Sequence, residues 1–228
     1  MSQKSHIQWC EARTSARSAY AVEWYNSVSS LIFVVAGGIG LCRSARMQRS
    51  FLFTETMLVL VGFGSVYFHA TATLLGEMAD ELPMALLAFG YVWELRGLHW
   101  LTRAPYEVPF YATNVVAVAC AFTAYLASER HDLFVLLFTG QVCVAAFTTL
   151  AAARAMGAPT TWWWRFLFCM LLGKAFWETE RLLWRADACP EAGAAFFLHP
   201  LWHVLSCGAH VCCQAQMRAL LGSARKQR

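Results

Sequence analysis

Seven runs of about 20 mainly apolar residues dominate this sequence, and each is long enough to cross a bilayer as one α-helix. Charged residues make up only 14% of the chain, against roughly 25% in a soluble domain. The net charge of +4 does not indicate nucleic-acid binding, because the basic residues sit in short clusters between the apolar runs. The sequence predicts an all-α membrane protein, a seven-transmembrane helix bundle with spans at about 23–43, 51–73, 79–99, 107–127, 132–153, 161–183 and 199–220.

The basic residues also predict an orientation. More of the Lys and Arg residues fall on the side that carries the C-terminus, which the positive-inside rule assigns to the cytosol. Residues 1–22 lack the apolar core of a cleaved signal peptide and are expected to form an N-terminal segment in the lumen or outside. Residues 23–220 then form the seven-helix domain, and residues 221–228 form a basic cytosolic tail.

This orientation makes a prediction about the nine cysteines. Only Cys10 and Cys189 fall in non-cytosolic segments, where the redox environment permits disulfides. A Cys10–Cys189 bridge would tie the N-terminal segment to the loop before helix seven. Two unpaired thiols are the alternative.

Three histidines are expected to meet at one depth of the bundle. His199 and His203 are four residues apart and share one face of helix seven, and His69 lies near the same end of helix two. Three neutral imidazoles with an open water position are how a catalytic zinc is held, and ionisable groups inside a membrane are usually functional. The pattern predicts a zinc site, with buried hydrogen-bonded histidines as the alternative.

The remaining histidines are expected to have other roles. His210 lies about 10 Å along the helix from His203, too far to share a metal, so helix packing or a buried hydrogen bond is expected. His6 and His131 lie in polar segments and His99 at a cytosolic helix end, so solvated or interfacial side chains are expected.

A hydroxyl and a carboxylate lie close to the predicted metal site. Ser65 is one helical turn from His69, where it could bond a metal-bound water, an oxyanion or its own backbone. A zinc hydrolase also needs a carboxylate to take and return protons. Asp80 is the favoured candidate, with Glu77 and Glu81 as structural acids, although acids at a helix start also arise from the helix dipole.

These residues together resemble a known family. The pattern Ser65-x3-His69-x10-Asp80-Glu81, followed by His199-x3-His203, is similar to that of the alkaline ceramidases, seven-helix lipid amidases related to adiponectin-receptor-like membrane hydrolases. The resemblance extends to Asn26-Ser-Val-Ser. It implies Zn²⁺ on the three histidines, proton transfer by Asp80 and oxyanion stabilisation by Ser65. The implied reaction is hydrolysis of ceramide to sphingosine and a fatty acid in the endoplasmic reticulum or Golgi membrane.

The resemblance also implies a Ca²⁺ site at the N-terminal segment, with Trp9 (through its carbonyl), Glu11 and Glu23 as ligands. This chain has Gln8 and Arg13 where the family carries an Asp and an Asn. Losing one carboxylate and adding a cation weakens such a site.

Two other functions fit parts of the pattern. Related seven-helix hydrolases cleave ester links in lipids with a similar set of residues. A heptahelical receptor or a metal transporter with a structural zinc would use the same fold without catalysis. No obligate protein partner is indicated.

Overall fold

Seven α-helices form in the residues that the computed structural model describes, which are 3–13, 20–44, 49–95, 107–190 and 197–226. Each coincides with one of the apolar runs, because a helix satisfies its backbone polar groups within its own segment. A short 3-10 helix at Cys10–Arg13 precedes them. The helices are α1 (Trp24–Ser44), α2 (Arg49–Thr71), α3 (Leu74–Glu94), α4 (Glu107–Ser128), α5 (His131–Ala155), α6 (Thr161–Arg185) and α7 (Leu198–Lys226).

Two expectations concern the ends of these helices. Helix α7 continues through Lys226, so residues 221–226 of the predicted tail are helical. His99, expected at a helix end, lies outside the described residues.

Three of the helices could cross a bilayer by their own length and composition. These spans are Trp24–Arg43, Arg49–Thr71 and His131–Ala155. Large apolar side chains also face outward on other helices, among them Phe168 and Leu171 on α6, which are 64% and 63% exposed. The acidic residues of α3, in contrast, are buried. An apolar exterior around buried charges is the arrangement of a protein that lies in a membrane.

Helix α3 begins earlier than predicted, at Leu74 instead of residue 79. Ala72 takes a positive φ of 48°, and the Thr73 side chain accepts a hydrogen bond from the Gly76 N–H as the N-cap. The turn between α2 and α3 is therefore only two residues long, and Asp80 lies in the second turn of α3. We call this end of the bundle the α2–α3 end.

Helices α2 and α3 approach each other closely at Gly64. A Cβ atom added there would lie 2.0 Å from the carbonyl oxygen of Ala79, so only glycine permits this contact. Ser65 follows Gly64 and Asp80 follows Ala79. The close approach therefore sets the distance between the two candidate catalytic side chains.

The N-terminal segment folds over the α2–α3 end. Its backbone bonds the α2–α3 turn, with Ser5 N–H donating to the Ala72 carbonyl and Leu74 N–H donating to the Gln3 carbonyl. Cys10 and Cys189 lie at disulfide-bonding distance, with their Cα atoms 5.3 Å apart. Arg13 makes an ion pair with Asp187 and lies 3.6 Å above the Trp184 ring.

We expect Gly64→Ala to lower the melting temperature in detergent by about 2–10 °C, because overpacking of a tight contact costs about 1–3 kcal/mol. Gly140→Ala is the matched control, since a Cβ atom there would meet nothing within 4 Å. The control should melt within about 1 °C of the wild type, or above it, because alanine favours helix. Equal melting temperatures for the two variants would show that the close approach at Gly64 is not required.

Candidate metal centre

Three imidazoles meet at the α2–α3 end of the bundle. His69 lies in the last turn of α2, and His199 and His203 lie one turn apart at the start of α7. Their ring centroids are 4.6 Å apart for His199 and His203, 4.9 Å for His69 and His199, and 5.2 Å for His69 and His203. One ligand nitrogen of each lies within 4.8 Å of the other two, and no side chain is more than 4% exposed. The structure thus brings together all three histidines singled out in the sequence.

Residues of the N-terminal half of α1 and the segment before it hold two of these rings. Glu23 Oε2 lies 2.5 Å from His69 Nδ1, and Ser29 Oγ lies 2.7 Å from His203 Nδ1. His199 stacks on Trp9, with a centroid distance of 3.8 Å. A carboxylate or hydroxyl on one ring nitrogen fixes the tautomer and presents the other nitrogen to a metal.

The donor set fits a divalent metal. His69 Nε2 and His199 Nδ1 are buried and have no hydrogen-bond partner among the described residues, a costly state for a polar atom that a metal would relieve. Three imidazole nitrogens are ligands typical of zinc. The chain therefore contains a buried site that could hold a metal ion.

Ser65 and Asp80 lie beside the histidines, as the sequence predicted. The Ser65 side chain lies close to the Asp80 carboxylate, and its hydroxyl accepts a hydrogen bond of 3.0 Å from Ser30 Oγ. Asp80 Oδ1 is buried and has no hydrogen-bond partner among the residues that the structure describes. Because Ser30 donates to Ser65, the Ser65 proton is free to point at Asp80 or at a ligand.

Sequence reasoning did not predict that three residues on this side support the histidines and Ser65, although it named Glu23 as a calcium ligand and Ser29 within the family pattern. Glu23, Ser29 and Ser30 hold the histidines and Ser65 from behind, and Asn26 donates to Glu23 across 3.1 Å. The sequence contains a signal for this face: the polar residues Glu23, Asn26 and Ser30 are spaced so that they share one side of a helix in a mainly apolar run. A polar stripe on a membrane-length helix indicates a face turned into the bundle.

A mostly apolar cavity adjoins the metal centre and contains about 820 Å3 of atom-free space. It follows α7 from His199 to His210 and reaches Asp80 and Ser65. Its apolar wall includes Phe33, Leu58, Val61, Leu87, Phe138 and Phe166. The histidine cluster is therefore next to a space suited to hydrocarbon chains.

The residues expected to bind Ca²⁺ have other partners. Glu11 accepts the backbone N–H groups of Tyr25 and Asn26 at the start of α1. The Glu23 carboxylate bonds Trp9 N–H and His69. Burial raises the pKa of Glu11, and its two backbone donors act against that rise.

All four oxygens of these two carboxylates are thus engaged within the protein. Arg13, expected beside them, instead pairs with Asp187. A calcium ion needs several oxygen ligands and would have to share these oxygens with the protein's own donors, so the calcium site stays a prediction.

Two of the other histidines differ from expectation. His131 is only 5% exposed and lies 2.9 Å from Glu81 Oε1 through Nε2. The backbone N–H of His6 donates to Glu77, and the ring Nδ1 of His6 lies 3.3 Å from the Tyr125 hydroxyl. The expectation of solvated side chains was wrong, because His131 packs against the rings of Tyr125 and Trp177 and His6 packs against Tyr125.

The expectation of a buried hydrogen bond for His210 is confirmed. His210 is 3% exposed and bonds Tyr91 at 2.9 Å and Glu55 at 3.0 Å. Lys174 and Glu178 form an ion pair of 2.8 Å on α6.

Comparison with known proteins now identifies the family. The sequence profile of the ceramidase family matches residues 1–227. The chain belongs to the ceramidase family. It is 26% identical to mouse alkaline ceramidase 1, with 89% of this chain and 75% of that protein covered. It is 23% identical to an alkaline ceramidase of Arabidopsis thaliana, over 94% of this chain and 86% of the relative.

We expect Glu23→Gln to weaken Zn²⁺ binding by about 10–100-fold, the usual effect of losing a carboxylate behind a metal-binding histidine. Glutamine can still accept from Trp9 N–H, so the fold should persist. Glu178→Gln serves as the control, because the Glu178 carboxylate pairs with Lys174 and Arg181 and not with a histidine of the cluster. Affinity would be measured by titration against a competing chelator, and unchanged affinity in Glu23→Gln would exclude this role.

Proposed function

We propose that the chain is a zinc-dependent alkaline ceramidase that hydrolyses the amide bond of ceramide to sphingosine and a free fatty acid. One observation supports this most: three buried imidazoles, two of them with a ring nitrogen that no described residue bonds, lie beside a carboxylate and a hydroxyl at the edge of an apolar cavity. Membership of the ceramidase family supplies the reaction class. His69, His199 and His203 would hold the zinc.

When bound, zinc supplies Lewis acidity and lowers the pKa of a coordinated water so that it can attack near neutral pH. Asp80 would accept a proton from the attacking water and return it to the sphingoid nitrogen as that nitrogen leaves. Its unpartnered Oδ1 is available for this transfer.

Ser65 would donate to the oxygen of the scissile carbonyl as negative charge develops there. Ser30 keeps one lone pair of the Ser65 oxygen occupied, which leaves the Ser65 proton to rotate between Asp80 and the substrate. The apolar cavity would receive a hydrocarbon chain of ceramide and exclude water from it.

A lipid ester is the alternative substrate, because the same groups can attack an ester carbonyl. We retain ceramide as the proposal on the strength of the family match. Hydrolysis of phospholipids in preference to any ceramide would reverse that choice. A receptor or transporter would not lose its activity on substitution of Asp80.

We also propose that all seven helices span the membrane, with the N-terminal segment 1–22 in the lumen or outside and the residues after 220 in the cytosol. Residues 23–220 would form the catalytic domain, resident in the endoplasmic reticulum or Golgi. Cys10 and Cys189 support this orientation, since both lie at the end of the bundle assigned to an oxidising compartment.

The orientation predicts the accessibility of Cys42, which is exposed near the opposite end of α1. In a variant that keeps only Cys42 among the free cysteines, a membrane-impermeant maleimide should label it in intact microsomes. Labelling that requires permeabilised membranes would reverse the proposed orientation.

We expect Asp80→Asn to lower kcat for ceramide by about 10²–10⁴-fold because proton transfer is lost. Ser65→Ala should lower it by about 10²–10³-fold through loss of one oxyanion donor. Both variants should retain zinc. Glu94→Gln and Ser50→Ala, buried but outside the cavity lining, are the controls and should retain near-normal turnover.

His203→Ala should lose both the zinc and the activity, and His210→Asn should keep the zinc because His210 lies outside the cluster. Metal analysis of the purified proteins and fatty acid release from a panel of ceramides measure these outcomes. Full zinc content in His203→Ala, or ceramide hydrolysis by the metal-free protein, would contradict the proposal.

A further inference from the structure

A second polar patch, made of Glu81 and His131, lies on the wall of the cavity beside the metal centre. Both side chains are buried, with 4% and 5% exposure. In the described part of the chain, each has one atom without a hydrogen-bond partner, Glu81 Oε2 and His131 Nδ1. An unpaired buried polar atom is destabilising, so its presence on a cavity wall indicates a polar ligand.

The patch is held in place by residues behind it. His131 Nε2 lies 2.9 Å from Glu81 Oε1. Glu77 next to them accepts from the Tyr125 hydroxyl and from the His6 N–H, the latter at 2.7 Å. When His131 Nε2–H donates to Glu81, its Nδ1 is an acceptor. The two free atoms of the patch are then both acceptors, which suits a ligand with O–H or N–H donors.

The patch is a neighbour of the metal centre. Glu81 directly follows Asp80, and both line the cavity. On the other wall, the Trp177 ring lies 6.0 Å from His131 and 6.0 Å from Trp9, and Trp9 stacks on His199. A ligand that reacts at the metal centre would therefore place nearby groups at the patch.

We propose that Glu81 and His131 bind the hydroxyl-bearing head of the sphingoid base and make the enzyme select for it. This inference rests on the proposed ceramidase function. Both hydroxyls of ceramide lie on carbons adjacent to the one that carries the amide nitrogen, so a molecule with its amide at the zinc presents O–H donors close by. The released sphingoid amine adds N–H donors at the same place.

A second metal ion is the competing occupant, because Glu77, Glu81 and His131 are close enough to share one. The hydrogen bonds favour the hydroxyl head. Both Glu77 oxygens are already engaged, by Tyr125 and by His6, which leaves one free carboxylate oxygen and one ring nitrogen at the patch.

The first test compares ceramide with 1-deoxyceramide, which lacks the primary hydroxyl, as substrates of the wild type. We expect kcat/KM to be about 10–100-fold higher for ceramide than for 1-deoxyceramide. Without the primary hydroxyl, a buried acceptor of the patch is left unpaired when 1-deoxyceramide binds. Equal kcat/KM for the two substrates would overturn the inference while leaving the ceramidase function intact. Turnover of neither would overturn both.

The second test uses the double variant Glu81→Leu/His131→Phe. This change removes both partners of the Glu81–His131 hydrogen bond, so neither remains as a buried polar group without its partner. The variant is therefore expected to fold. We expect kcat/KM for ceramide to fall at least about 10-fold, mainly through KM, while that for 1-deoxyceramide stays within about 3-fold of the wild type. The single variant Glu81→Gln should show a smaller loss in the same direction, and Glu94→Gln, a buried carboxylate of α3 outside the cavity lining, should keep the wild-type preference.

Metal content separates the competing occupants. One zinc per chain in the wild type and in the double variant agrees with a hydroxyl-binding patch. Two metal ions in the wild type and one in the double variant would overturn the inference and assign the patch to a second metal. Equal losses with both substrates in the double variant would also overturn it, by showing a purely structural role.

Discussion

The Glu23 carboxylate is the group on which the described site depends most. One oxygen accepts the Trp9 N–H and the other bonds His69 and Asn26. A single buried side chain thereby joins the N-terminal segment, α1 and α2 at the point where the three imidazoles meet. An unpaired carboxylate at that depth would be strongly unfavourable, so Glu23 and its partners can be stable only together.

The N-terminal segment is therefore a structural part of the candidate site. Trp9 stacks on His199, Cys10 N–H donates to the buried Glu180, and the Cys10–Cys189 pair connects the segment to the residues after α6. The resemblance to the ceramidase family implies a calcium site in this region. Here Glu11 caps α1 and Glu23 orients His69, so protein donors satisfy both carboxylates. The negative charge of two such carboxylates can be balanced either by a bound cation or by N–H donors of the protein.

Polar residues inside the bundle form groups with different degrees of pairing. Further along the bundle, His210 bonds both Tyr91 and Glu55, and this group serves packing. At the α2–α3 end, nitrogens of His69 and His199 and an oxygen of Asp80 have no partner among the described residues. Burial makes unpaired atoms expensive, so those that line a cavity mark a place where a ligand can bind.

The sequence by itself determined the seven helices, because runs of apolar residues of membrane length have few other structures available. It also determined the three histidines, Ser65 and Asp80 as candidates, since helical spacing places them on common faces and the family pattern joins them. It did not determine which polar residues of α1 lie behind them. That depends on how α1 packs against α2 and α7, as Ser29 against His203 and Ser30 against Ser65 illustrate.

The tertiary structure decided the surroundings of His131 and Glu81 as well. His131 follows a polar stretch and reads as solvated, but Tyr125 and Trp177 pack against it and it lies in the cavity wall. It also decided the depth of Asp80, through a two-residue turn capped by Thr73 and the glycine contact at Gly64. Helical periodicity fixes which residues share a face of one helix, whereas contacts between segments far apart in the chain depend on packing that no local pattern encodes.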